Sequence, residues 1–417
     1  MTTESKPPFN PPFYYGWIII IVSFVTLFFS GPGQTYSVSV FIDSYINDFG
    51  WSRSLVSSMY SLGTLAAGLT MGFMGSLFDK HGHRKMTTIV SLVFGFACLW
   101  MSFIFNLPML LIGFFLIRLL GQGSMSLSST TLVPQWFIKK KGTALSFVIL
   151  GGTMSMIILP ILNTWFIQNL GWRTGWQVWA VLLWIIMAPI AYIFTRNTPE
   201  SIGLLPDNEV ILPEDIIDNQ DIVDNSWTLR EALMTKAFWI ILYTMVVANA
   251  INTGLIFHQF SILGQVGLNV TTIAMITSLI SLIRVPINFI IGPLSDRVQL
   301  KYMMFASMGL LCVSVMTIYL ADSIQLVIVY GLFMALQMGV ERIVTSVIWP
   351  EYFGRRYLSS IRGIAMMSGV IGSALGPLPF GFAFDIFGGY KEALIISFIF
   401  PLIGAILGLM AGKPMKS

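Results

Sequence analysis

Hydrophobic stretches of about 20 residues recur along the whole chain, and they constrain its fold more than any other feature. Each is long enough to cross the ~30 Å hydrocarbon core of a bilayer as a helix. Only 10% of the residues are charged, whereas soluble globular chains carry about 25%. Backbone groups in lipid must find partners within their own segment, which favours helices. We therefore predict an all-α membrane protein with twelve transmembrane helices, over residues 16–40, 54–78, 86–105, 108–133, 142–168, 173–195, 237–262, 270–294, 302–320, 323–348, 358–384 and 390–411.

Lysine and arginine are unevenly distributed among the segments that join these helices. If the N-terminus is cytoplasmic, 17 of them lie on the cytoplasmic side and 3 on the other side. Positive charge is enriched in cytoplasmic loops. We therefore expect cytoplasmic N- and C-termini and a multi-pass protein of the cell membrane, plasma or inner. The net charge of +4 then follows from membrane topology and indicates no nucleic-acid partner.

The two halves of the chain share landmarks at a constant spacing. The segments GSLFDKHGHRK and GPLSDRVQLK place Asp79 and Asp296 217 residues apart, and the segments PQWF and PEYF begin 216 residues apart. A long polar connection lies between the halves. We predict an N-terminal six-helix bundle (1–196), a cytoplasmic linker (197–236) and a pseudo-symmetric C-terminal six-helix bundle (237–417). Such a duplication is typical of transporters that bind substrate near the middle of the membrane.

The GSLFDKHGHRK segment, the twelve hydrophobic segments and the duplication resemble the major facilitator superfamily over essentially the whole chain. The resemblance implies the major facilitator fold and a gating role for Asp79 and Arg84. Asp296 and Arg297 of the second copy are expected to do this less well. Four further segments resemble the monocarboxylate porter group, which implies a small organic anion as substrate; they are YYGWIIIIVSF, PQWFIKKKGTALS, GWR and ALGPLPFGFAFDIFGGY.

Arg284 lies near the middle of the eighth hydrophobic segment, where a charge costs roughly 2.5–3.5 kcal/mol on insertion scales. On a helix it shares one face with Thr277, Ser281 and Asn288. A guanidinium binds a carboxylate through two parallel hydrogen bonds, and more strongly away from bulk water. We therefore predict that Arg284, with Ser281 and Asn288 beside it, binds the substrate anion. The alternative is a structural bridge from Arg284 to another helix.

Other polar residues inside the segments are further candidates for substrate binding. Arg118 and Gln122 share a face of the fourth segment, where Arg118 is either a second anion ligand or a structural arginine. Gln34 follows a Gly-Pro-Gly sequence that should kink or unwind the first helix. Asn252 lies on a polar face of the seventh segment. We predict that Gln34, Gln122 and Asn252 line the substrate site.

Two residues could couple transport to protons. Glu341 is the acid that lies deep inside a segment, and burial would favour proton exchange near neutral pH. Its alternative role is a gate pair with a cation. His258 could also exchange protons. However, it is half a turn out of phase with Asn249, so a packed or interfacial histidine is the alternative.

The sequence contains no HExxH motif, no Walker loop and no Cys/His cluster with metal-ligand spacing. We therefore predict no enzyme activity, no cofactor and no obligatory protein partner. The predicted function is a secondary active transporter that moves a small organic anion, a monocarboxylate, by alternating access with proton symport. The alternative within transport is an exporter of drugs or other small molecules. The alternatives from other classes are a membrane-embedded enzyme and a transport-inactive sensor.

Overall fold

The computed structural model describes residues 11–51, 53–208, 226–268 and 270–415. Within these ranges the regular elements are helices, which confirms the prediction of an all-α chain. In the first half the α-helices are α1 Gly16–Phe29, α2 Thr35–Val38, α3 Ile42–Phe49, α4 Arg53–Leu69, α5 Met71–His81, α6 His83–Ser102, α7 Leu107–Ile117, α8 Ser126–Trp136, α9 Lys141–Leu170, α10 Trp172–Leu182 and α11 Ala188–Phe194.

The second half begins with a short helix in the segment predicted as a linker. This helix has a capping box, in which Thr228 and Glu231 each bind the backbone N–H of the other. Its bounds and those of the longer helices that follow are α12 Leu229–Leu233, α13 Lys236–Gln265, α14 Val270–Ser295, α15 Leu300–Tyr319, α16 Ile324–Phe353, α17 Leu358–Leu375, α18 Pro377–Phe387 and α19 Lys391–Met410.

Many of these helices are suited to a membrane. Among the described residues, ten helices are long and apolar enough to cross it, or eleven if the pair Ser58–Leu69 and Met71–His81, bent by 43°, is one span. The predicted segment over 270–294 corresponds to α14. The described apolar part of α14, Leu282–Ser295, is shorter than the helices in that count. A multi-pass helical protein is therefore confirmed, while twelve spans and cytoplasmic termini stay predictions.

The described contacts divide the chain into two compact units. The first comprises residues 1–226 and 354–367, and the second comprises 227–353 and 368–417. The start of α17 thus packs with the first unit, although it belongs by sequence to the second repeat. The boundaries predicted from the sequence, at 196 and 236, stay a prediction.

In the first unit, the break predicted after the first helix is present. Helix α1 ends at Phe29, a 3₁₀ turn covers Gly31–Gly33, and Gln34 is extended before α2 begins. A Cβ atom on Gly33 would overlap the carbonyl oxygen of Ile117, at the end of α7. Glycine is therefore required at position 33 for this close approach.

In the second unit, α14 and α16 run in the same direction, and two glycines of α16 pack closely against isoleucines of α14. Cβ atoms added to Gly331 would lie 3.2 Å from Ile280 and 3.5 Å from Ile276. One added to Gly339, two turns later, would overlap Ile287 and lie 3.7 Å from Oδ1 of Asn288. This close packing of small residues is typical of helices in membranes.

Candidate functional site

Arg284 of α14 lies in the second unit and is partly buried. It makes no hydrogen bond or ion pair with any described residue, and its electrostatic neighbours are Glu341 and Arg342 of α16. Glu341 is partly buried, and its carboxylate likewise has no hydrogen-bond partner among the described residues. Arg342, beside it, is exposed. The fold therefore brings the predicted anion ligand near the predicted proton carrier.

Asn288 follows Arg284 by one turn on α14. It is buried, with 8% of its surface exposed, and faces α16 at Gly339. The side chains of Thr277 and Ser281, predicted on the same face, lie outside the described part of the structure. The polar face of α14 is therefore described at Arg284 and Asn288.

Arg118 lies in the first unit, in a π-helical stretch from Arg118 to Met125 that joins α7 to α8. Its Nη1 donates to the carbonyl oxygen of Gly33 at 3.2 Å and to Oγ1 of Thr35 at 3.1 Å. The guanidinium also lies over the ring of Tyr60, 5.0 Å from its centroid. Arg118 thus binds the broken segment between α1 and α2.

The predicted polar neighbours of Arg118 lie at the same break. Gln34 donates from Nε2 to Ser30 at 3.2 Å and to Ser126 at 3.4 Å. Gln122 shares the π-helical stretch with Arg118, and its buried Oε1 accepts no hydrogen bond from the described residues. These side chains are thereby brought together within the first unit.

His258 lies on α13 and is held by the chain around it. Its Nε2 is 3.1 Å from the carbonyl oxygen of Pro377, and its Nδ1 is 3.5 Å from the hydroxyl of Tyr390. Its ring stacks on Phe380 at 5.9 Å. Helix α13 is continuous from Lys236 to Gln265, so His258 stays out of phase with the polar face of that helix. This is the surrounding expected of a packed histidine.

Asn252 and Gln259 share one face of α13. Asn252 is 7% exposed, and its Oδ1 has no hydrogen-bond partner in the described structure. Gln259 is 2% exposed, and its Nε2 is likewise unpartnered there. Interior hydrogen-bonding groups of the second unit are therefore left unsatisfied by the described residues.

Asp79 lies near the end of α5 and binds the first turn of α17. Its two carboxylate oxygens accept from the backbone N–H of Ser359 at 3.0 Å and of Ser360 at 2.7 Å. A Cβ atom on Gly75 would overlap the carbonyl oxygen of Ser359. A carboxylate stabilises a helix N-terminus through its orphan N–H groups and the helix dipole. Asp79 therefore fastens residues 354–367 to the first unit.

The other predicted gating residues have different surroundings. Arg84 donates from Nε to the carbonyl oxygen of Tyr192 at 2.8 Å and lies over that tyrosine ring at 4.8 Å. Asp296 is partly buried after α14, and Arg297 is exposed. Asp79 and Arg84 thus bind different parts of the first unit, at α17 and α11 respectively.

Two arginines that the sequence indicated only as topological charges also bind the first unit. Arg355 donates to the carbonyl oxygen of Gln135 at 2.7 Å, and the Gln135 side chain donates back to the carbonyl oxygen of Arg355 at 2.7 Å. Arg355 also pairs with Glu200 at 3.2 Å. Arg362 donates to the carbonyl oxygen of Thr130 at 3.0 Å. The sequence signal for the contact between Arg355 and Gln135 was the repeat itself, since Gln135 lies in the segment PQWF and Arg355 follows the segment PEYF.

No group of His, Cys, Asp and Glu that could hold a metal ion occurs within the described ranges. The described residues around Arg284 offer hydrogen bonding and charge: a guanidinium that makes no hydrogen bond or ion pair with them, a nearby carboxyl group and several buried amides. Such an arrangement can bind an anion and exchange a proton.

Three curated relatives match at low identity. Glucose transporter GlcP of Staphylococcus epidermidis is 25% identical over 392 residues, which cover 86% of this chain and 82% of that protein. Monocarboxylate transporter 9 of Rattus norvegicus is 24% identical over 227 residues, or 54% of this chain and 44% of its own length. Quinolone resistance protein NorB of Staphylococcus aureus is 26% identical over 183 residues, or 44% and 37%. The chain thus spans less than half of the last two proteins.

The crystal structure of the human organic anion transporter MFSD10 (TETRAN) has the same fold. Its TM-score is 0.71 at 12% sequence identity, and the match covers 96% of this chain and 100% of that one. The family model described as Major Facilitator Superfamily matches residues 17–266 and 252–416. Together these two matches cover nearly the whole chain. The chain therefore belongs to the Major Facilitator Superfamily of membrane transporters.

Proposed function

We propose that this transporter moves a small organic anion, a monocarboxylate, across the cell membrane by alternating access and together with a proton. The observation that carries the proposal is the condition of Arg284. Its guanidinium lies in an apolar helix without a hydrogen bond or ion pair to any described residue. The five N–H donors of an arginine are costly to leave unused in such a place.

A carboxylate is the ligand whose shape and charge match these donors. Two parallel hydrogen bonds join a guanidinium to a carboxylate, and the pair gains strength where water is excluded. The name of the rat relative supports this class of substrate for the matched part of the chain. A bound anion thus supplies the hydrogen-bond and charge partner that the described residues do not give Arg284.

Glu341 is the group that we assign to the proton. It lies on α16, within electrostatic range of Arg284 on α14. A proton on Glu341 cancels one negative charge in the neighbourhood of the bound anion, so anion and proton favour each other's binding. Symport of the two also leaves the transported pair electrically neutral. His258 remains the second candidate for this role.

Asp79 supports the alternating-access part of the proposal. Its carboxylate holds the first turn of α17 through two short hydrogen bonds. Arg355 and Gln135 add a reciprocal pair of hydrogen bonds to the same stretch of chain. We assign to these contacts the stabilisation of one conformation, which must be given up in the other.

Transport of a neutral sugar or of a drug is the second candidate function, favoured by the names of the relatives GlcP and NorB. The candidates differ in what they require of Arg284. A guanidinium repels a cationic substrate and gives a neutral one only ordinary hydrogen bonds, whereas it forms a stronger, charge-assisted pair with an anion.

The decisive experiment is a binding panel on purified protein with lactate, propionate and benzoate as anions, glucose as the neutral compound and ethidium as the cation. We expect binding of an anion, and a loss of roughly 2–5 kcal/mol of binding free energy in Arg284→Ala. Lys391→Ala, which removes an exposed cation at the start of α19, supplies the control and should bind within a few-fold of the unmodified protein. Unchanged anion affinity in folded Arg284→Ala would contradict the proposal.

The proton is tested separately in proteoliposomes. Glu341→Gln keeps the shape of the side chain but cannot release a proton. We expect exchange of labelled substrate across the membrane to continue, while accumulation driven by a pH gradient is lost. Gradient-driven accumulation at the normal level would remove Glu341 from the mechanism and direct the same test to His258→Gln.

A further inference from the structure

Helix α16 carries four residues on one face, at positions that repeat every three to four residues: Tyr330, Met334, Gln337 and Glu341. The face lies within the second unit. Gln337 is 0% exposed, and neither its Nε2 nor its Oε1 has a hydrogen-bond partner in the described structure. It is alone among the described glutamine and asparagine residues in having both amide atoms buried and unpartnered.

A buried amide in this condition is expensive. Each hydrogen-bonding group left without a partner in a protein interior lowers its stability. An apolar residue of the same length would avoid that cost at this position. The presence of an amide indicates that Gln337 has a partner during function, and that this partner requires both a donor and an acceptor.

The two turns beside Gln337 on this face are not equivalent. Toward the N-terminus, the hydroxyl of Tyr330 donates to Sδ of Met334 at 2.9 Å, and both residues are fully buried. Toward the C-terminus lies Glu341, four residues on. Side chains on a helix lean toward its N-terminus, and residues four apart are neighbours. Glu341 is therefore the neighbour of Gln337 on this face, although the two side chains are not hydrogen-bonded to each other in the described structure.

We propose that Gln337 is a positioning residue for the proton on Glu341: a rotamer change of the two side chains makes them hydrogen-bond partners during transport, in both protonation states. The ionised carboxylate accepts from Nε2 of Gln337. The protonated carboxyl donates its O–H to Oε1, after the amide turns about its last bond. An amide serves both states because it carries a donor and two acceptor lone pairs. The transport consequence of this inference rests on the proposed function, whereas the pairing itself does not.

The charged groups that act on Glu341 in the described structure are Arg342, next to it on α16, and Arg284, on α14. Titratable groups on the other neighbouring helices make contacts elsewhere. Cys312 of α15 points to the carbonyl oxygen of Phe398, and His258 of α13 contacts Pro377 and Tyr390. Removal of the Gln337 amide thus leaves every charge near Glu341 in place.

Infrared difference spectroscopy tests the pairing because it follows the C=O band of a protonated carboxyl group directly. The band of Glu341 is assigned by its absence in Glu341→Gln and is then titrated with pH. In Gln337→Met both protonation states lose a hydrogen bond, but the ionised carboxylate loses the stronger, charge-assisted one, so the midpoint should move to higher pH by about one unit, a tenfold change in proton affinity. The frequency of the band should rise as well, because the protonated form loses its acceptor.

Gln259→Met is the matched control, since it removes another buried glutamine amide, on α13. Its midpoint should equal that of the unmodified protein. Gln337→Asn is the second variant, in which the amide is too short to reach Glu341, and it decides the question if Gln337→Met does not fold. A midpoint unchanged in the folded Gln337 variants would overturn the inference.

Proteoliposome uptake keeps this outcome apart from that of the proposed function. If Glu341 pairs with Gln337 but carries no transported proton, the infrared midpoint shifts while gradient-driven uptake survives in Glu341→Gln. If Glu341 carries the proton without Gln337, uptake is lost in Glu341→Gln and the midpoint stays fixed in Gln337→Met. The two failures therefore give different results.

Discussion

Each unit holds an arginine inside an apolar helical segment, and the surroundings of the two are opposite. Arg118, in the first unit, is 6% exposed, donates to two oxygens and lies over a tyrosine ring. Arg284, in the second, has no such partner among the described residues. Both carry the same insertion cost. A charge inside an apolar segment is retained either because the protein supplies its hydrogen-bond partners or because a bound ligand supplies them.

Amides in the two units show part of the same contrast, although Gln122 near Arg118 also keeps an unpartnered Oε1 among the described residues. In the first unit, Asn163 donates to Ser37 at 2.7 Å and accepts from Trp179 at 2.7 Å. In the second unit, Asn252 and Gln337 keep unpartnered amide atoms in the described structure. We infer that Arg118 belongs to the scaffold of the first unit, whereas Arg284 of the second is completed by ligand.

The sharpest way to break this comparison is to replace both arginines by methionine and follow thermal unfolding in detergent. Arg118→Met removes two hydrogen bonds from a charged donor and should cost about 3 kcal/mol of stability. Arg284→Met removes an unpartnered charge and should leave the melting temperature unchanged or raise it. Equal destabilisation by the two substitutions would show that Arg284 also has a structural partner.

Arg284→Lys sharpens the comparison at the level of binding. Lysine keeps the charge but cannot form two parallel hydrogen bonds with one carboxylate. We expect the dissociation constant of the anion to rise about tenfold, which corresponds to about 1.4 kcal/mol. Calorimetric titration provides the measurement, and Arg342→Lys provides the control. An unchanged constant would mean that Arg284 acts only as a distant charge.

A smaller effect is expected where the first unit holds the start of α17. Asp79→Asn keeps an oxygen for one N–H group but loses the charge at the helix N-terminus, worth about 1 kcal/mol. The balance between conformations should then shift about fivefold, as measured by the labelling rate of a cysteine placed at Ser359. Asp322→Asn, an exposed change in a loop, is the control. A labelling rate equal to that of the control would contradict the gating role.

Much of the fold could be predicted because its signals are local. Hydropathy indicates the helices directly, and Gly31-Pro32-Gly33 cannot continue a helix, so the break before Gln34 was predictable. The face shared by Arg284 and Asn288 follows from helical periodicity alone. These features depend on residues that are close in sequence.

The partners of Arg118 could not be predicted in the same way. Its acceptors are a carbonyl oxygen at Gly33 and a hydroxyl at Thr35, more than eighty positions earlier in the chain. Every residue has a backbone carbonyl oxygen, so the sequence does not indicate which of them accepts the hydrogen bond. Arg355 is a similar case, because its positive charge predicts topology whether or not it also binds Gln135.

The close packing of the α16 glycines against α14 affects how strongly the binding of anion and proton is coupled during transport. Helices that interlock this closely, at Gly331 and Gly339, are expected to travel as one rigid body. The separation between Arg284 and Glu341 would then be constant through the transport cycle. The electrostatic interaction between the bound anion and the proton on Glu341 would then have the same strength whichever side of the membrane the site faces. Anion and proton would therefore bind with equal cooperativity from either side, and inverting both gradients should reverse transport without loss of coupling.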